Sequence, residues 1–244
     1  MKLGMGMGLT NIRGVGKPDG FPIPSAHAKL LLNFDSDFAD SSIHNRTPTL
    51  AGSTPPIIDA TQQVFGAGSL FRSANGGEDG RLYYPPATDW NITDSIPFQA
   101  SFRLRATTNP MNRVFMSNAS SGWGGAGFHF SHTWNSSMEK IGIASNGAFK
   151  ALWNYTFPLN TWTAHRVNHD GAGNYRWYVN GVLLGVVTPS GLLDNPSGNL
   201  VVGARISDTA FQGNMDEVLW EKHPDLVITT SPTYEVEDKQ FVIV

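Results

Sequence analysis

Two groups of carboxylates near the C-terminus have the residue types that glycoside hydrolysis requires. Asp216, Glu217 and Glu221 form the first group, and Glu235 and Glu237 form the second. A retaining hydrolase holds its two carboxylates about 5–5.5 Å apart, which on one strand means acids two or four residues apart. Asp216 and Glu217 are adjacent and would point to opposite faces of a strand. Glu217 and Glu221 share a face, but we expect both at exposed positions of a terminal strand, so this group does not favour an enzyme.

Histidine, serine and cysteine usage gives no support for nucleophilic or zinc chemistry. The seven histidines are scattered, and His129 and His132 are three residues apart in a predicted strand, where they would face opposite ways. The sequence has no Gly-x-Ser-x-Gly elbow and no cysteine. A cysteine nucleophile, a thiolate metal site and a disulfide framework are therefore excluded. We expect a protein that is not an enzyme.

Tryptophans supply a different chemistry, because an aromatic face can stack on a sugar ring. Trp123 lies between glycines in the stretch SGWGGAG, and Trp153 follows in FKALWNYT. We take both as candidates for carbohydrate contact, and Trp123 as the better of the two because its stretch reads as a loop. The alternative for a tryptophan in such a chain is the hydrophobic core, which we expect for Trp177 and Trp220.

Short β-strands are the elements that must position these side chains. In FQASFRLRA, residues 98–106, large and small apolar residues alternate with polar ones over nine positions, which predicts a strand with one buried face. In NYRWYVNGVLLGVV, Asn180 and Gly181 can both adopt positive φ, as a two-residue type I′ hairpin turn requires. About a dozen such segments follow one another without a helical period. The sequence therefore predicts an all-β sandwich or barrel.

Five motifs in order resemble the laminin-G-like, concanavalin A-like jelly-roll lectin domain. They are LLLNFDSDFADSS, FGAGSLFR, WYVNGVLLG, LVVGARI and FQGNMDEVLWEK. The resemblance covers roughly residues 28–222 and implies a two-sheet antiparallel jelly-roll sandwich. The core is then expected to include Leu31, Phe102, Leu104, Trp177, Val179 and Val218.

The same resemblance implies one structural calcium ion between the turn after the first strand and the last strand. Asp35, Asp37 and Asp40 are the candidate ligands by motif, with Asp216 opposite them. Carboxylate and backbone oxygens suit Ca²⁺. The alternative is that these aspartates only form turns by bonding their own backbone, so calcium stays an open expectation.

The N-terminal residues 1–27 read as an extended anchor arm and linker. Large apolar residues alternate there with glycines, before a stretch rich in Gly and Pro; the alternating residues are Leu3, Gly4, Met5, Gly6, Met7, Gly8 and Leu9. The arrangement is similar to that of tail-fibre, spike and decoration proteins of tailed bacteriophages. The resemblance implies that the arm anchors the chain to other virion proteins, for which strand addition to a partner's sheet is a suitable mode. The alternative is a disordered tail.

Residues 223–244 lie beyond the last jelly-roll motif and end in an apolar, β-branched run. A chain end of that kind must pair with something or become an aggregation hazard. We expect Phe241 and Ile243 to form an intersubunit strand, and by analogy with fibre appendages we favour a homotrimer.

Composition excludes some classes of partner. The net charge of -3 and a pI near 6.1 give no basic face for nucleic acid, and no apolar run approaches the roughly 20 residues of a membrane-spanning helix. The N-terminus does not have the pattern of a signal peptide. We therefore expect a structural component of a phage particle, located in the virion, with a lectin-like outward domain for host-surface glycan. The alternative is a stand-alone carbohydrate-binding module or carbohydrate-active enzyme.

Overall fold

The structure is a computed structural model of the chain. It describes residues 20–52, 54–72, 81–92, 95–108, 113–118, 123–135, 138–189, 193, 198–204 and 211–244. The anchoring candidates Leu3, Gly4, Met5, Gly6, Met7, Gly8 and Leu9 lie outside these residues.

Over the described residues the chain forms seventeen β-strands and one 3₁₀ helix at Thr88–Trp90. The strands are β1 Phe21–Ile23, β2 Ala28–Leu32, β3 Thr49–Ala51, β4 Ile57–Asp59, β5 Ser69–Arg72, β6 Arg81–Tyr84, β7 Phe98–Ala106, β8 Arg113–Ser117, β9 His129–Asn135, β10 Met138–Ser145, β11 Ala148–Asn154, β12 Trp162–His169, β13 Tyr175–Val179, β14 Val182–Val187, β15 Leu200–Val202, β16 Gly213–Lys222 and β17 Phe241–Ile243. The all-β prediction is confirmed.

Two antiparallel sheets form the sandwich. The front sheet has seven strands in the order β11-β10-β9-β8-β15-β6-β3, and the back sheet has eight, in the order β14-β13-β12-β7-β16-β5-β4 with β2 also paired to β16. The pairing of β2, early in the chain, with β16, late in the chain, closes the back sheet across the sequence. This architecture confirms the predicted two-sheet antiparallel jelly roll.

The core between the sheets follows from the alternation seen in the sequence. On β7, Phe98, Phe102 and Leu104 are buried among the core residues, and Trp220 of the back sheet stacks on Phe98 with ring centroids 5.1 Å apart. The predicted core residues are all buried, but Leu31 belongs to a second, smaller cluster.

The Asn180–Gly181 hairpin is confirmed at the tip between β13 and β14. Val179 pairs with Val182, and the φ angles of Asn180 and Gly181 are 48° and 79°. Asn180 Oδ1 also accepts a hydrogen bond from the backbone N–H of Ala164 at 2.8 Å. The turn therefore has the backbone that its two residues favour, and it ties this hairpin to β12.

The C-terminal segment, residues 223–244, folds back on its own sandwich. Its strand β17 pairs in parallel with β1, with Phe241 opposite Phe21, and Phe241 is 3% exposed in a cluster with Leu31 and Leu219. The sequence analysis expected Phe241 and Ile243 to pair with another copy, and this is corrected: their partner is β1 of the same chain. Contacts within the chain thus bury Phe241 and partly bury Ile243.

Candidate functional site

The outward face of the front sheet is the candidate site, and strand alternation decides which residues lie on it. Phe128 and Phe130 point into the core, so the residues that alternate with them, His129 and Ser131, point outward. Ser117 pairs with His129 on the adjacent strand β8. Ser117, His129 and Ser131 are 0%, 0% and 2% exposed. A buried cluster of polar side chains on the outer side of a sheet is a feature that core packing does not require.

Trp123, in a turn that precedes β9, lies over this polar face. Its indole stacks on His129, with ring centroids 5.8 Å apart and ring planes at 17°, and its ring centroid lies 5.1 Å from that of Phe149. Trp123 Nε1 donates a hydrogen bond to Gly147 O at 2.8 Å, and Gly147 N donates one to Trp123 O at 2.9 Å. The side chain is half-buried. Trp123 is therefore a fixed aromatic platform that still has accessible surface, as the sequence analysis expected of its better contact candidate.

The β10–β11 turn explains why Trp123 can lie there. Asn146 and Gly147 have φ angles of 50° and 71°, the conformation that Asn and Gly tolerate best. A Cβ atom on Gly147 would lie 3.6 Å from Cα of Gly124 and from Cδ1 of Trp123. These are ordinary contact distances, so the backbone conformation and not the space around it is what favours glycine at this position.

Ser131 adds a polar group beside this platform. Its Oγ is buried and has no hydrogen-bond partner within the part of the chain that the structure describes. A buried hydroxyl without a partner costs free energy, so the packing around Ser131 does not explain this group. His129, on the same face, stands beneath the indole.

A cleft marks the other end of the same face. It has a volume of about 420 Å³ and is lined by Tyr83, Pro85, Pro86 and Asn199, among others, while Arg81 Nη1 donates a hydrogen bond to Tyr83 Oη at 2.9 Å. Strand β6 is three strands away from β9, which corresponds to about 14 Å at the usual strand spacing. The face therefore carries aromatic side chains at both ends, a length suited to a chain of several units.

Trp153 does not belong to this face, and its candidacy as a carbohydrate contact is corrected. It is 4% exposed, its ring centroid lies 5.7 Å from that of Trp177 in the core, and its Nε1 donates to Gly185 O at 3.0 Å. The pairing of Trp153 with Ile141 places it on the inner side of β11. Its polar N–H is satisfied by the back sheet, so nothing directs this side chain outward.

The expectation that Glu217 and Glu221 are exposed is wrong. They are 1% and 5% exposed, because the C-terminal segment covers this part of the back sheet. Glu217 has a φ of 51° at a bulge where the register of β16 shifts. Its Oε2 accepts a hydrogen bond from Phe241 N at 2.9 Å. Burial, the largest cause, raises the pKa of Glu217 to about 8 and that of Glu221 to about 7.

Asp216 and the other calcium candidates are held by backbone N–H groups. Asp216 Oδ2 accepts from Val64 N at 2.8 Å and Oδ1 accepts from Glu217 N at 2.8 Å. Asp37 Oδ1 accepts from Ala39 N at 2.9 Å, the turn-forming role that was the alternative. These N–H donors already occupy carboxylate lone pairs that a calcium ion would otherwise use.

Asp40 and Asp35 are the remaining candidate ligands. Asp40 Oδ1 accepts from Leu31 N at 3.1 Å and from Ser42 N at 2.9 Å. Asp35 Oδ1 accepts from Ala67 N at 2.7 Å, and its Oδ2 accepts from Gln240 Nε2 at 2.9 Å. The residues that the structure describes contain no group of three or more His, Cys, Asp or Glu side chains arranged to hold a metal. A structural calcium stays a prediction that rests on the sequence resemblance.

Comparison with known proteins places this geometry in context. Residues 75–224, more than half of the chain, match the family model described as the concanavalin A-like lectin/glucanases superfamily. No curated protein matches the sequence. Within the described part of the chain no helix has the length and apolar character to cross a membrane.

Solved structures give the same picture of the fold. Domain 4 of AbnA, a GH43 extracellular arabinanase from Geobacillus stearothermophilus solved with arabinotriose, is similar at a TM-score of 0.60 and 15% identity, over 81% of this chain and 93% of that one. Botulinum neurotoxin type C, whose cell entry depends on two ganglioside molecules, is similar at a TM-score of 0.55 and 14% identity, over 81% of this chain and 48% of that one. The globular domain of T. cruzi calreticulin is similar at a TM-score of 0.52 and 12% identity, over 82% and 88% of the two chains. At these identities the likeness extends to the fold alone.

Proposed function

Because this chain belongs to the concanavalin A-like lectin/glucanases superfamily, we propose that it is a glycan-binding module that is not an enzyme. It binds its glycan on the outward face of the front sheet. One observation carries the proposal: the half-buried indole of Trp123 is fixed over a buried polar cluster by His129 and Gly147. A sugar ring has an apolar face that can stack on an indole, and hydroxyls that can bond to Ser131.

The acids of the front sheet support a binding module over the alternative, a carbohydrate-active enzyme. Within its seven strands the one acidic residue is Glu139. Its Oε2 lies 3.9 Å from Nε2 of the buried His132. Glycoside hydrolysis with two carboxylates needs a pair about 5–10 Å apart beside the sugar, and the strands of this face do not supply one.

Similar proteins support glycan as the ligand class. The arabinanase domain was solved with arabinotriose, and the neurotoxin interacts with gangliosides. The length of about 14 Å between β9 and β6 suits an oligosaccharide with one unit against Trp123 and another near Tyr83.

The finer proposal is that this module belongs to a phage particle and uses the glycan for host attachment. It rests on the likeness of the Leu3–Leu9 strip and its linker to virion anchors, and a homotrimer is proposed by the same analogy. Imaging of the intact particle with a labelled antibody tests the location, and light scattering of the purified chain tests the trimer. Absence from the particle would contradict the location without affecting glycan binding.

A glycan array combined with a polysaccharide hydrolysis assay tests the central proposal. We expect saturable binding to at least one oligosaccharide class and no release of reducing ends. Turnover that disappears on replacement of a single acid would establish the enzyme instead. Absence of binding to every glycan would contradict the proposed function.

A further inference from the structure

The C-terminal segment encloses a second cavity, on the opposite side of the molecule from the glycan face. It crosses the outward face of the back sheet: Tyr178 Oη donates to Thr229 O at 3.0 Å, and Arg103 Nη2 donates to Glu237 O at 2.6 Å. Between the segment and the sheet lies a cavity of about 280 Å³. The family match ends at residue 224, so one wall of this cavity lies outside the matched region.

The polar wall of the cavity contains a carboxylate that forms no direct ion pair with any residue that the structure describes. Glu221 lines the cavity, is 5% exposed, and accepts one hydrogen bond, from Gln99 Nε2 at 3.0 Å. The lining cation, Arg166, is already committed to Glu237 by an ion pair. Its guanidinium also lies 3.8 Å from the ring centroid of Tyr234. A buried carboxylate is costly unless it is paired, and Arg166 attracts Glu221 only from a distance because its direct contact is with Glu237.

The other wall of the cavity is apolar. Ile23, Leu219 and Phe241 line it and are 4%, 1% and 3% exposed. Glu235 also lines the cavity but is exposed to solvent, so its charge lies at the entrance. A compact cavity with an unpaired carboxylate at one side and aliphatic and aromatic groups at the other is complementary to a cation that carries a hydrocarbon tail.

We propose that this cavity binds a small organic ammonium ion, with its charge paired to Glu221 and its apolar tail packed against Ile23, Leu219 and Phe241. The ion is either a free alkylamine or the side chain of a lysine from another protein, since both present the same ammonium on a short hydrocarbon chain. The site is independent of the glycan face, and the proposal does not rest on the proposed glycan function.

Two probes of equal tail length test the charge requirement. In a ¹H–¹⁵N NMR titration of the full chain, we expect n-butylammonium to shift the Gln99 side-chain amide and the Leu219 amide saturably, and 1-butanol at the same concentrations to leave them unchanged. Nα-acetyl-lysine methylamide serves as a third probe. If it binds as well as n-butylammonium, the ligand is a lysine side chain, and if it does not, the ligand is a free amine.

Glu221→Gln and Glu235→Gln form a matched pair of variants that line the same cavity. We expect E221Q to weaken n-butylammonium binding about tenfold or more, the usual scale of a charge-assisted pair, and E235Q to change it less than about twofold. Equal shifts with butanol, unchanged affinity in E221Q, or shifts that map away from Gln99 and Leu219 would each overturn the proposal. The comparison of the two probes on the wild-type chain stands even if E221Q does not fold.

Discussion

The indole of Trp123 lies nearly parallel to the imidazole of His129, with ring centroids 5.8 Å apart and planes at 17°. This contact joins a loop to strand β9 and fixes one face of the indole against the sheet. Trp123 is further held by two hydrogen bonds with the backbone of Gly147, one from its indole N–H and one to its own carbonyl. An aromatic group held in this way loses little conformational entropy when a ligand stacks on it.

Gly147→Ala should weaken glycan binding while costing only modest stability. Alanine at a φ of +71° costs roughly 1–2 kcal/mol, and relief of this backbone strain moves the turn that holds the indole. The new methyl group itself makes only an ordinary contact with Trp123, at 3.6 Å. Isothermal titration with the glycan identified on the array, together with urea unfolding, measures both effects. Gly173→Ala is the control, because Gly173 has a φ of +92° and nothing within 4 Å of its added Cβ. If the two variants lose the same affinity, Gly147 does not position Trp123.

Trp153→Ala should destabilise the fold by about 3–5 kcal/mol. Trp153 is 4% exposed, packs on Trp177 and bonds Gly185 O, so the substitution leaves a cavity and an unpaired carbonyl. Urea unfolding monitored by circular dichroism gives the free energy of unfolding. Trp123→Ala, at a half-buried position, should cost less than about 1.5 kcal/mol in the same assay. A small decrease in the free energy of unfolding for Trp153→Ala would mean that Trp153 lies at the surface and not in the core.

Phe241→Ala should lower the free energy of unfolding by about 3 kcal/mol without changing the oligomeric state. Phe241 packs on Leu31 and Leu219 of its own chain, so its contribution is intramolecular. Val244→Ala, at a position 56% exposed, is the control and should change little. Light scattering on both variants measures the oligomeric state. Dissociation of an oligomer by Phe241→Ala would support the hypothesis that Phe241 belongs to an intersubunit strand.

Glu217→Gln should make the protein more stable at alkaline pH. Burial raises the pKa of Glu217 to about 8, against about 4.5 when unfolded. Between these values the folded state binds the extra proton, so its stability falls as pH rises through the window. The neutral amide removes this loss, which is on the order of a few kcal/mol, while its carbonyl still accepts from Phe241 N.

The free energy of unfolding as a function of pH, from urea titrations at pH 4.5 to 8.5, tests this. We expect a flatter curve for E217Q than for the wild type. The pKa values of Asp216 and Glu221 are raised to about 6 and about 7. Their contribution to the pH dependence of the free energy of unfolding therefore remains in the variant. Glu235→Gln, at an exposed position, should leave the curve unchanged. Parallel curves for E217Q and wild type would mean that Glu217 titrates as it does in the unfolded chain.

Local patterns predicted the parts of the fold that local physics determines. The alternation over residues 98–106 gave β7 with the correct bounds, because alternate burial is a property of a single strand. Asn180 and Gly181 correctly predicted the hairpin turn, because the positive φ angles that the turn requires depend only on these two residue types. Trp153 was missed because its side of β11 depends on its pairing with Ile141, which nothing in FKALWNYT specifies.

Long-range contacts account for the other errors. Glu217 and Glu221 were expected to be exposed, but the C-terminal segment packs over their part of the back sheet, and nothing local to β16 indicates that cover. The parallel pairing of Phe21 with Phe241 joins the two ends of the described chain. Neither segment has a sequence pattern that predicts pairing with the other. The apolar C-terminal run correctly predicted that this strand pairs with another strand. Its sequence could not distinguish a strand of the same chain from a strand of another chain.

The most direct test of the glycan face is a ¹H–¹⁵N NMR titration that follows the tryptophan indole N–H signals. The chain has seven tryptophans, and Trp123→Ala identifies the Trp123 signal by its absence. With the glycan found on the array, we expect a saturable shift of the Trp123 signal, unchanged signals from the core residues Trp153 and Trp177, and binding about tenfold or more weaker in Trp123→Ala. Binding that leaves the Trp123 signal in place and persists at full affinity in Trp123→Ala would contradict the account.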